Sequence, residues 1–147
     1  RPDMAHFKFV ERILAGSPID IYNHGQMERD FTYIDDLVEA IVRLSDVPPS
    51  RGGARTVATD SSSPAAPYRI VNIGGRQPVK LLDFVEEIER AIGRKAIRSY
   101  MDMQPGDVVR TEASTDFLEA LIGYRPATPL SVGIAEFVRW YRNYYQV

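Results

Sequence analysis

Apolar residues recur every three or four positions in several stretches of the chain, a spacing that places them on one face of a helix. This pattern predicts four helices, over residues 4–15, 34–44, 79–92 and 115–122. A fifth helix is expected near the end of the chain, with Thr128 as its cap and Pro129 at its first position. Its buried stripe is predicted to consist of Ile134, Phe137, Val138, Tyr141 and Tyr145.

Shorter stretches between these helices alternate apolar and polar residues or group β-branched residues, which is typical of strands. They cover residues 19–22, 31–33, 68–73 and 96–100. Turn-forming pairs stand near two of them, at Gly74-Gly75 and Pro105-Gly106. Together the two patterns predict an α/β chain with small sheets and about five helices.

Residues 48–67 interrupt the apolar pattern, because they contain almost no large apolar side chain and are rich in proline, glycine and serine. We interpret them as a flexible surface insertion within a single domain that spans residues 1–147. The alternative is a linker between two independent domains. That alternative would leave about 47 residues on the first side, too few for a robust core.

Composition limits the classes of partner that the chain could have. The formal net charge of -2 provides no overall field that would attract nucleic acid or an anionic membrane. No apolar stretch approaches the roughly 18 residues of a membrane span, and a cytoplasmic location is the default expectation. The sequence begins with Arg1 and lacks an initiator Met there, so we expect it to be part of a longer parent protein.

Three arginines and one acid stand where a small polar ligand could use them, namely Arg1, Arg29, Arg76 and Asp107. Arg29 follows a turn and precedes a predicted strand, and its planar guanidinium suits phosphate or carboxylate oxygens. Asp107 ends the turn Gln104-Pro105-Gly106-Asp107 and could accept hydrogen bonds from the two hydroxyls of a ribose. Each also has a structural interpretation, since Arg29 could form a surface ion pair and Asp107 could stabilise its own turn.

The usual signatures of catalysis are missing from this sequence. Asn72-Ile73-Gly74-Gly75-Arg76 follows a predicted strand but lacks the third glycine of a dinucleotide-binding loop. None of the eight tyrosines has a lysine four positions later. His6 and His24 do not form a metal-ligand pattern, so no metal site is predicted. Taken together, these absences mean that the sequence predicts no catalytic residues in this chain.

Four motifs occur in an order that resembles the UDP-glucuronate 4-epimerases of the extended short-chain dehydrogenase/reductase family. They are Arg1-Pro2-Asp3-Met4-Ala5, the stretch from Gly25 through Arg29-Asp30-Phe31-Thr32-Tyr33 to Asp36, Asn72-Ile73-Gly74, and Met103-Gln104-Pro105-Gly106-Asp107-Val108. The resemblance spans nearly the whole chain apart from the insertion. It differs from many extended members at Gln104, where they have an arginine.

The resemblance implies that this chain is the C-terminal, sugar-nucleotide-binding part of such an enzyme, without the N-terminal Rossmann half. That half would hold NAD and the catalytic tyrosine and lysine, so neither NAD binding nor activity is expected of this fragment. The intact parent would interconvert UDP-glucuronate and UDP-galacturonate at C4, and it would be a homodimer. The alternatives are a UDP-sugar dehydratase or decarboxylase of the same family, or a stand-alone UDP-sugar-binding module.

The resemblance also implies roles for individual residues. Arg29 and Asn72 would contact the diphosphate, and Asp107 would contact the uridine ribose. Backbone groups of Met4 and Ala5, with Tyr22 nearby, would help to bind uracil. Arg1 matches the arginine expected to hold the carboxylate of the sugar.

Overall fold

The computed structural model describes residues 2–52, 57–58 and 60–147. Within them, five α-helices and four strands follow one another along the chain: α1 (Ala5–Leu14), β1 (Ile19–Ile21), β2 (Glu28–Asp30), α2 (Ile34–Ser45), β3 (Pro78–Lys80), α3 (Leu81–Ile92), β4 (Arg98–Tyr100), α4 (Asp116–Ile122) and α5 (Leu130–Tyr145). A short 3-10 turn, Tyr22–Gly25, joins β1 to β2. The prediction of an α/β chain with small sheets and five helices is therefore confirmed.

The chain forms two compact units. The first contains Arg1–Arg29, Val79–Thr111 and Pro129–Val147, and the second contains Asp30–Pro78 and Glu112–Thr128. The earlier interpretation of residues 1–147 as one domain with a flexible insertion at about 48–67 stays a prediction. Among the described residues of that stretch no helix or strand is present.

The first unit has a continuous apolar core. Its β1 and β4 pair in parallel, with Ile19 opposite Arg98 and Ile21 opposite Tyr100. Alternation along β1 buries Ile19 and Ile21 and leaves Asp20 partly exposed, as the two-residue period of a strand requires. Helices α1, α3 and α5 complete the core with Phe9, Val10, Ile13, Phe84, Val85, Ile88, Ile92, Ile134, Val138 and Tyr141.

One buried acid connects the end of α3 to β4 in this unit. Glu89 is only 4% exposed, and its carboxylate accepts hydrogen bonds from Lys95 Nζ at 2.7 Å, Arg98 Nη2 at 2.9 Å and the Ala96 amide at 3.1 Å. Desolvation on its own would raise the pKa of Glu89, but these donors outweigh it and the pKa lies below its ordinary value. The chain that follows α3 is thereby fixed in front of β4.

A second acid organises the second unit. Asp36, in the first turn of α2, accepts hydrogen bonds from the Tyr124 hydroxyl at 2.9 Å, the Ala127 amide at 3.1 Å and the Thr128 amide at 2.8 Å. The Thr128 hydroxyl donates a further bond of 2.9 Å. Desolvation would raise the pKa of Asp36, but the four donors outweigh it and lower the pKa. Asp36 therefore ties the loop after α4 to the start of α2.

The structure differs from the sequence prediction at two of the expected strands. Residues 31–33 are not a strand, because β2 ends at Asp30 and Tyr33 is already the N-cap of α2. Residues 68–73 are not a strand either, since no described segment pairs with them. The Ser61 hydroxyl instead accepts from the Ile70 amide at 2.8 Å and donates to the Ile70 carbonyl at 2.7 Å.

Three details of the helices also differ. Thr128 does not cap α5, because its hydroxyl is engaged with Asp36 and Pro129 occupies the N-cap position. Tyr145 is 45% exposed and lies outside the buried stripe of α5. The helix expected over residues 79–92 begins at Leu81, since the residues before it pair with β2 as β3.

None of the helices in the described parts of the chain combines the length with the apolar character that crossing a bilayer requires.

Candidate functional site

A strained turn leads into the strand that carries Arg29. Asn23 and His24 have φ values of 49° and 50°, which non-glycine residues adopt only at a cost. Gly25 follows with φ of 81°, and a Cβ there would lie 2.7 Å from Leu82 Cδ2. The Gly25 backbone therefore packs directly against the Leu82 side chain at the start of α3, and this contact helps to fix the path of the chain from the turn into β2.

Arg29 extends from β2 and is held at two of its terminal nitrogens. Nη1 donates to the Glu28 carbonyl at 2.9 Å and to the Val109 carbonyl at 3.3 Å. Nη2 donates to Asp107 Oδ1 at 2.8 Å. The two residues of this ion pair are 78 positions apart in the sequence, and their side chains are 28% and 34% exposed.

Asp107 lies in a surface loop, residues 101–110, in which every residue is exposed. The turn is closed by a hydrogen bond from the Asp107 amide to the Gln104 carbonyl at 3.2 Å. Its Oδ1 also accepts the Val108 amide at 2.9 Å. The carboxylate is therefore oriented by its own turn as well as by Arg29.

The pair leaves unused hydrogen-bonding groups on both partners. A guanidinium has five N–H donors, of which three are engaged here, so the Arg29 Nε–H and one N–H of Nη2 have no acceptor among the described residues. Asp107 Oδ2 likewise receives no donor from that part of the chain. The site can therefore offer two donors to an oxyanion and one acceptor to a hydroxyl without breaking a bond that it already has.

The residues predicted to surround uracil lie elsewhere in the first unit. Met4 is the N-cap of α1 and is 46% exposed, and Ala5 is the first residue of that helix. Tyr22 begins the strained turn and is partly exposed. No hydrogen bond or ring contact joins Tyr22 to Met4 or Ala5 within the described structure. Arg1 lies outside the described residues.

Asn72 belongs to the second unit, where it is exposed. The loop that follows it is crowded, since a Cβ on Gly74 would lie 2.9 Å from Ala113 Cβ and one on Gly75 would lie 2.6 Å from the Phe31 carbonyl oxygen. These two glycines are therefore required by space. The structure thus brings together Arg29 and Asp107 from the predicted set, whereas Asn72 lies in a different unit.

Sequence reasoning did not identify the acid that holds this glycine loop. Asp30 accepts hydrogen bonds from the amides of Arg76 at 3.1 Å, Gln77 at 3.3 Å and Ala113 at 3.3 Å. Arg76 itself has φ of 56° and forms an ion pair with Asp116. The partners of Asp30 are more than forty positions away, so no local pattern indicates this role.

Comparison with protein families gives the broader context of this geometry. Residues 1–74 match the model of the NAD dependent epimerase/dehydratase family, which covers half of the chain and includes Arg29, Asp30 and Asn72. The chain belongs to this family. The extended short-chain dehydrogenase/reductase fold inferred from the motifs is confirmed for the part that the chain contains.

Similar members of the family include named epimerases. A probable UDP-glucuronate 4-epimerase of Rhizobium meliloti (strain 1021) is 58% identical over 99% of this chain. UDP-glucuronate 4-epimerase 1 of Arabidopsis thaliana is 41% identical over 99% of the chain. The chain spans 43% of the length of the first and 34% of the second.

A solved structure is similar over the same range. A variant of the UDP-glucuronic acid 4-epimerase of Bacillus cereus, in complex with UDP-4-deoxy-4-fluoro-glucuronic acid and NAD, superimposes with a TM-score of 0.79 at 26% identity. The match covers 99% of this chain and 41% of that one. The likeness therefore concerns less than half of a protein crystallised with both a sugar nucleotide and NAD.

Proposed function

We propose that this chain is the UDP-sugar-binding C-terminal portion of an NAD-dependent epimerase that interconverts UDP-glucuronate and UDP-galacturonate at C4. The observation that carries the proposal is the 2.8 Å contact between Arg29 and Asp107, to which the resemblance assigns the diphosphate and the ribose. These two groups are adjacent in a nucleoside diphosphate. A ligand of that kind therefore fits a guanidinium and a carboxylate that lie side by side.

In this proposal the chain binds and orients the substrate. Arg29 would pair with the diphosphate through its unused donors, because adjacent guanidinium N–H groups match two phosphate oxygens. Asp107 Oδ2 would accept a ribose hydroxyl. Asn72 would add an amide contact to the diphosphate, and Met4, Ala5 and Tyr22 would bind uracil.

Selectivity for a sugar acid is assigned to Arg1. A planar guanidinium opposite a carboxylate binds it through two hydrogen bonds and limits how the sugar can turn. In the intact protein such a contact would keep the sugar positioned while its configuration at C4 is inverted. Control of this orientation also matters because a ketone at C4 would make the sugar a β-keto acid, which loses carbon dioxide readily.

NAD is not assigned to this chain. Its sequence has neither a glycine-rich dinucleotide loop nor a tyrosine with lysine four positions later, so the residues present do not fit the cofactor or the redox step. We propose that both belong to an N-terminal Rossmann half of a longer, homodimeric protein. The share of its relatives that the chain spans, 43% and 34%, supports this division.

The apolar surface of α2 also supports a missing partner. Ile34, Val38, Ile41 and Val42 are 58%, 50%, 53% and 54% exposed, and their spacing places them on one face of the helix. Surfaces of this kind generally mark sites of association. Residues 68–73, which have the pattern of a strand but pair with no strand in the described part of the chain, lie in the same unit.

Calorimetric titration of the 147-residue chain with UDP tests the proposal. Arg29→Ala removes the charge-assisted contacts with the diphosphate and is expected to weaken binding by about 2 kcal/mol. Arg110→Ala is the matched control, because Arg110 is an exposed arginine whose ion pair with Glu28, at 2.9 Å, involves neither unused donor of Arg29. Equal affinities of the Arg29→Ala variant and the unaltered chain would exclude Arg29 from the site.

The reaction itself is tested on the intact parent protein. Incubation of that protein with UDP-glucuronate should yield UDP-galacturonate and no carbon dioxide. A decarboxylated or dehydrated product would instead assign the protein to a different activity in the same family. Sedimentation of the same preparation would test the proposed dimer.

A further inference from the structure

We infer that Asp107 is a positioning residue for the diphosphate as well as a contact for the ribose, because it holds the Arg29 guanidinium in its binding orientation. The inference rests on the proposed function. It concerns how the two residues act together, since Asp107 would influence a phosphate that it does not touch.

The contacts of Arg29 explain why Asp107 is needed. The bonds from Nη1 to the carbonyls of Glu28 and Val109, at 2.9 and 3.3 Å, hold one end of the guanidinium, and the second of them is long. With Nη1 as the one anchored terminal nitrogen, the plane can still turn about the line that joins Nη1 to the covalent attachment at Cδ. The 2.8 Å bond from Nη2 to Asp107 fixes a second nitrogen and with it the direction of the unused donors.

Asp107 is itself held before any ligand arrives. Its Oδ1 accepts the Val108 amide at 2.9 Å, and its own amide donates to the Gln104 carbonyl at 3.2 Å. The two carboxylate oxygens therefore have different roles. Oδ1 faces the turn and Arg29, while Oδ2 receives no donor from the described residues and is available to a hydroxyl.

The same carboxylate could oppose binding, because a negative charge beside Arg29 competes with the phosphate. We expect alignment to dominate for two reasons. The pair is partly solvated, with 28% and 34% side-chain exposure, so screening reduces the repulsion between the carboxylate and the phosphate, whereas the 2.8 Å hydrogen bond to Nη2 is a direct contact. The donors that remain on Arg29 also differ from the one that Asp107 uses, so a phosphate can bind without displacing it.

Comparison of UDP with uridine separates the effect of Asp107 on phosphate binding from its contact with the ribose, because uridine has the ribose and lacks the phosphates. Both ligands are titrated into the unaltered 147-residue chain and into its Asp107→Ala, Asp107→Asn and Arg29→Ala variants. Asp107→Ala is expected to weaken UDP binding about tenfold more than uridine binding, through the misaligned charge-assisted contact. Asp107→Asn keeps an oxygen that can accept from Nη2 and Val108, and should restore most of the preference for UDP.

Asp102→Asn is the matched control, since Asp102 lies in the same loop, is 99% exposed and contacts His24 instead of Arg29. It should leave the affinities for both ligands unchanged. Trp140 fluorescence checks that each variant is folded. In the Arg29→Ala background, Asp107→Ala should weaken UDP and uridine binding by the same factor, because the residue through which it acts on phosphate is gone.

Two results would overturn the inference and leave the proposed function intact. One is an equal loss of UDP and uridine affinity in Asp107→Ala, which would make Asp107 a ribose contact alone. The other is a gain in UDP affinity relative to uridine, which would make its charge a competitor of the phosphate. Failure of the unaltered chain to bind UDP would overturn the proposed function together with the inference.

Discussion

The two units of the chain use similar helices in different ways. In the first unit, α3 buries Phe84, Val85 and Ile88, each no more than 1% exposed. In the second, α2 has an equally regular apolar face, yet Ile34 and Val38 are at least half exposed and Ala40 is its one fully buried residue. Of the buried apolar side chains in the described residues, all but Ala40, Phe117, Leu118 and Pro126 belong to the first unit.

This difference shows what a hydrophobic pattern does and does not specify. Periodicity determines which face of a helix is apolar, but the partner that covers that face has to come from elsewhere. The first unit itself contains the helices that pack against α3, namely α1 and α5. The second unit is held together to a larger extent by polar contacts such as those of Asp36 and Asp30.

The largest expected effect comes from one substitution made in both helices. Val85→Ala removes two methyl groups from a fully buried site and should cost about 2 to 3 kcal/mol from lost burial and the cavity left behind. Val38→Ala makes the same change at a residue that is 50% exposed and should lie within about 0.5 kcal/mol of zero. Amide exchange resolved for α2 and α3 measures both, and equal losses of protection would contradict the comparison.

The second effect concerns the polar contacts of the second unit and their dependence on pH. The pKa of Asp36 is lower in the folded chain than in the unfolded one, so its ionised form favours folding. This stabilisation is fully present above the pKa of an aspartate in the unfolded chain, about 4, and it is lost as the pH falls through the lower pKa of Asp36 in the folded chain. Asp36→Asn should therefore cost about 1.5 kcal/mol at neutral pH and reduce the acid sensitivity of α2 exchange.

Asp35→Asn is the control for this prediction, because Asp35 occupies the same first turn of α2 and is exposed. It should change neither the stability at neutral pH nor the acid sensitivity by a comparable amount. If the two variants respond alike, the effect arises from the charge at the helix start and not from the bonds to residues 124–128.

The smallest effect on folding should come from the exposed face of α2. Val38→Ser together with Val42→Ser should change the unfolding free energy by no more than about 1 kcal/mol, since both side chains are already half in solvent. The same variant should self-associate less at high concentration, because an apolar patch has been removed. Light scattering over a concentration series measures this, and unchanged association would mean that a different surface is responsible.

The helices were predictable because their signal is local. The apolar spacing identified all five, and Gly93 and Gly123 end α3 and α4 with φ of 79° and 61°, as expected of glycine at a C-cap. The strands were less predictable, because a strand also requires a neighbour. Residues 68–73 have the right side chains and still do not form one, because the segment beside them, residues 61–63, contacts them partly through the Ser61 hydroxyl and not through a ladder of backbone hydrogen bonds.

The geometry of the candidate site could be predicted only in part, for a related reason. Motif order and side-chain chemistry indicated Arg29 and Asp107, but their direct contact joins residues 78 positions apart and has no local signal. At Thr128 the local pattern predicted a contact that does not form: its position favoured a helix cap, but its hydroxyl donates to the distant Asp36 carboxylate instead. Long-range partners of charged groups were therefore the part that the pattern could not supply.

The Ser61 hydroxyl makes both backbone hydrogen bonds at Ile70 that an adjacent strand would otherwise make. The contribution of these two bonds to stability depends on what lies beside Ile70. Where no strand is adjacent, the serine satisfies an N–H and a C=O group that would otherwise bond only to water. A strand that docked there would have to displace the hydroxyl, so the side chain that now satisfies these two peptide groups would also oppose the docking by a small amount.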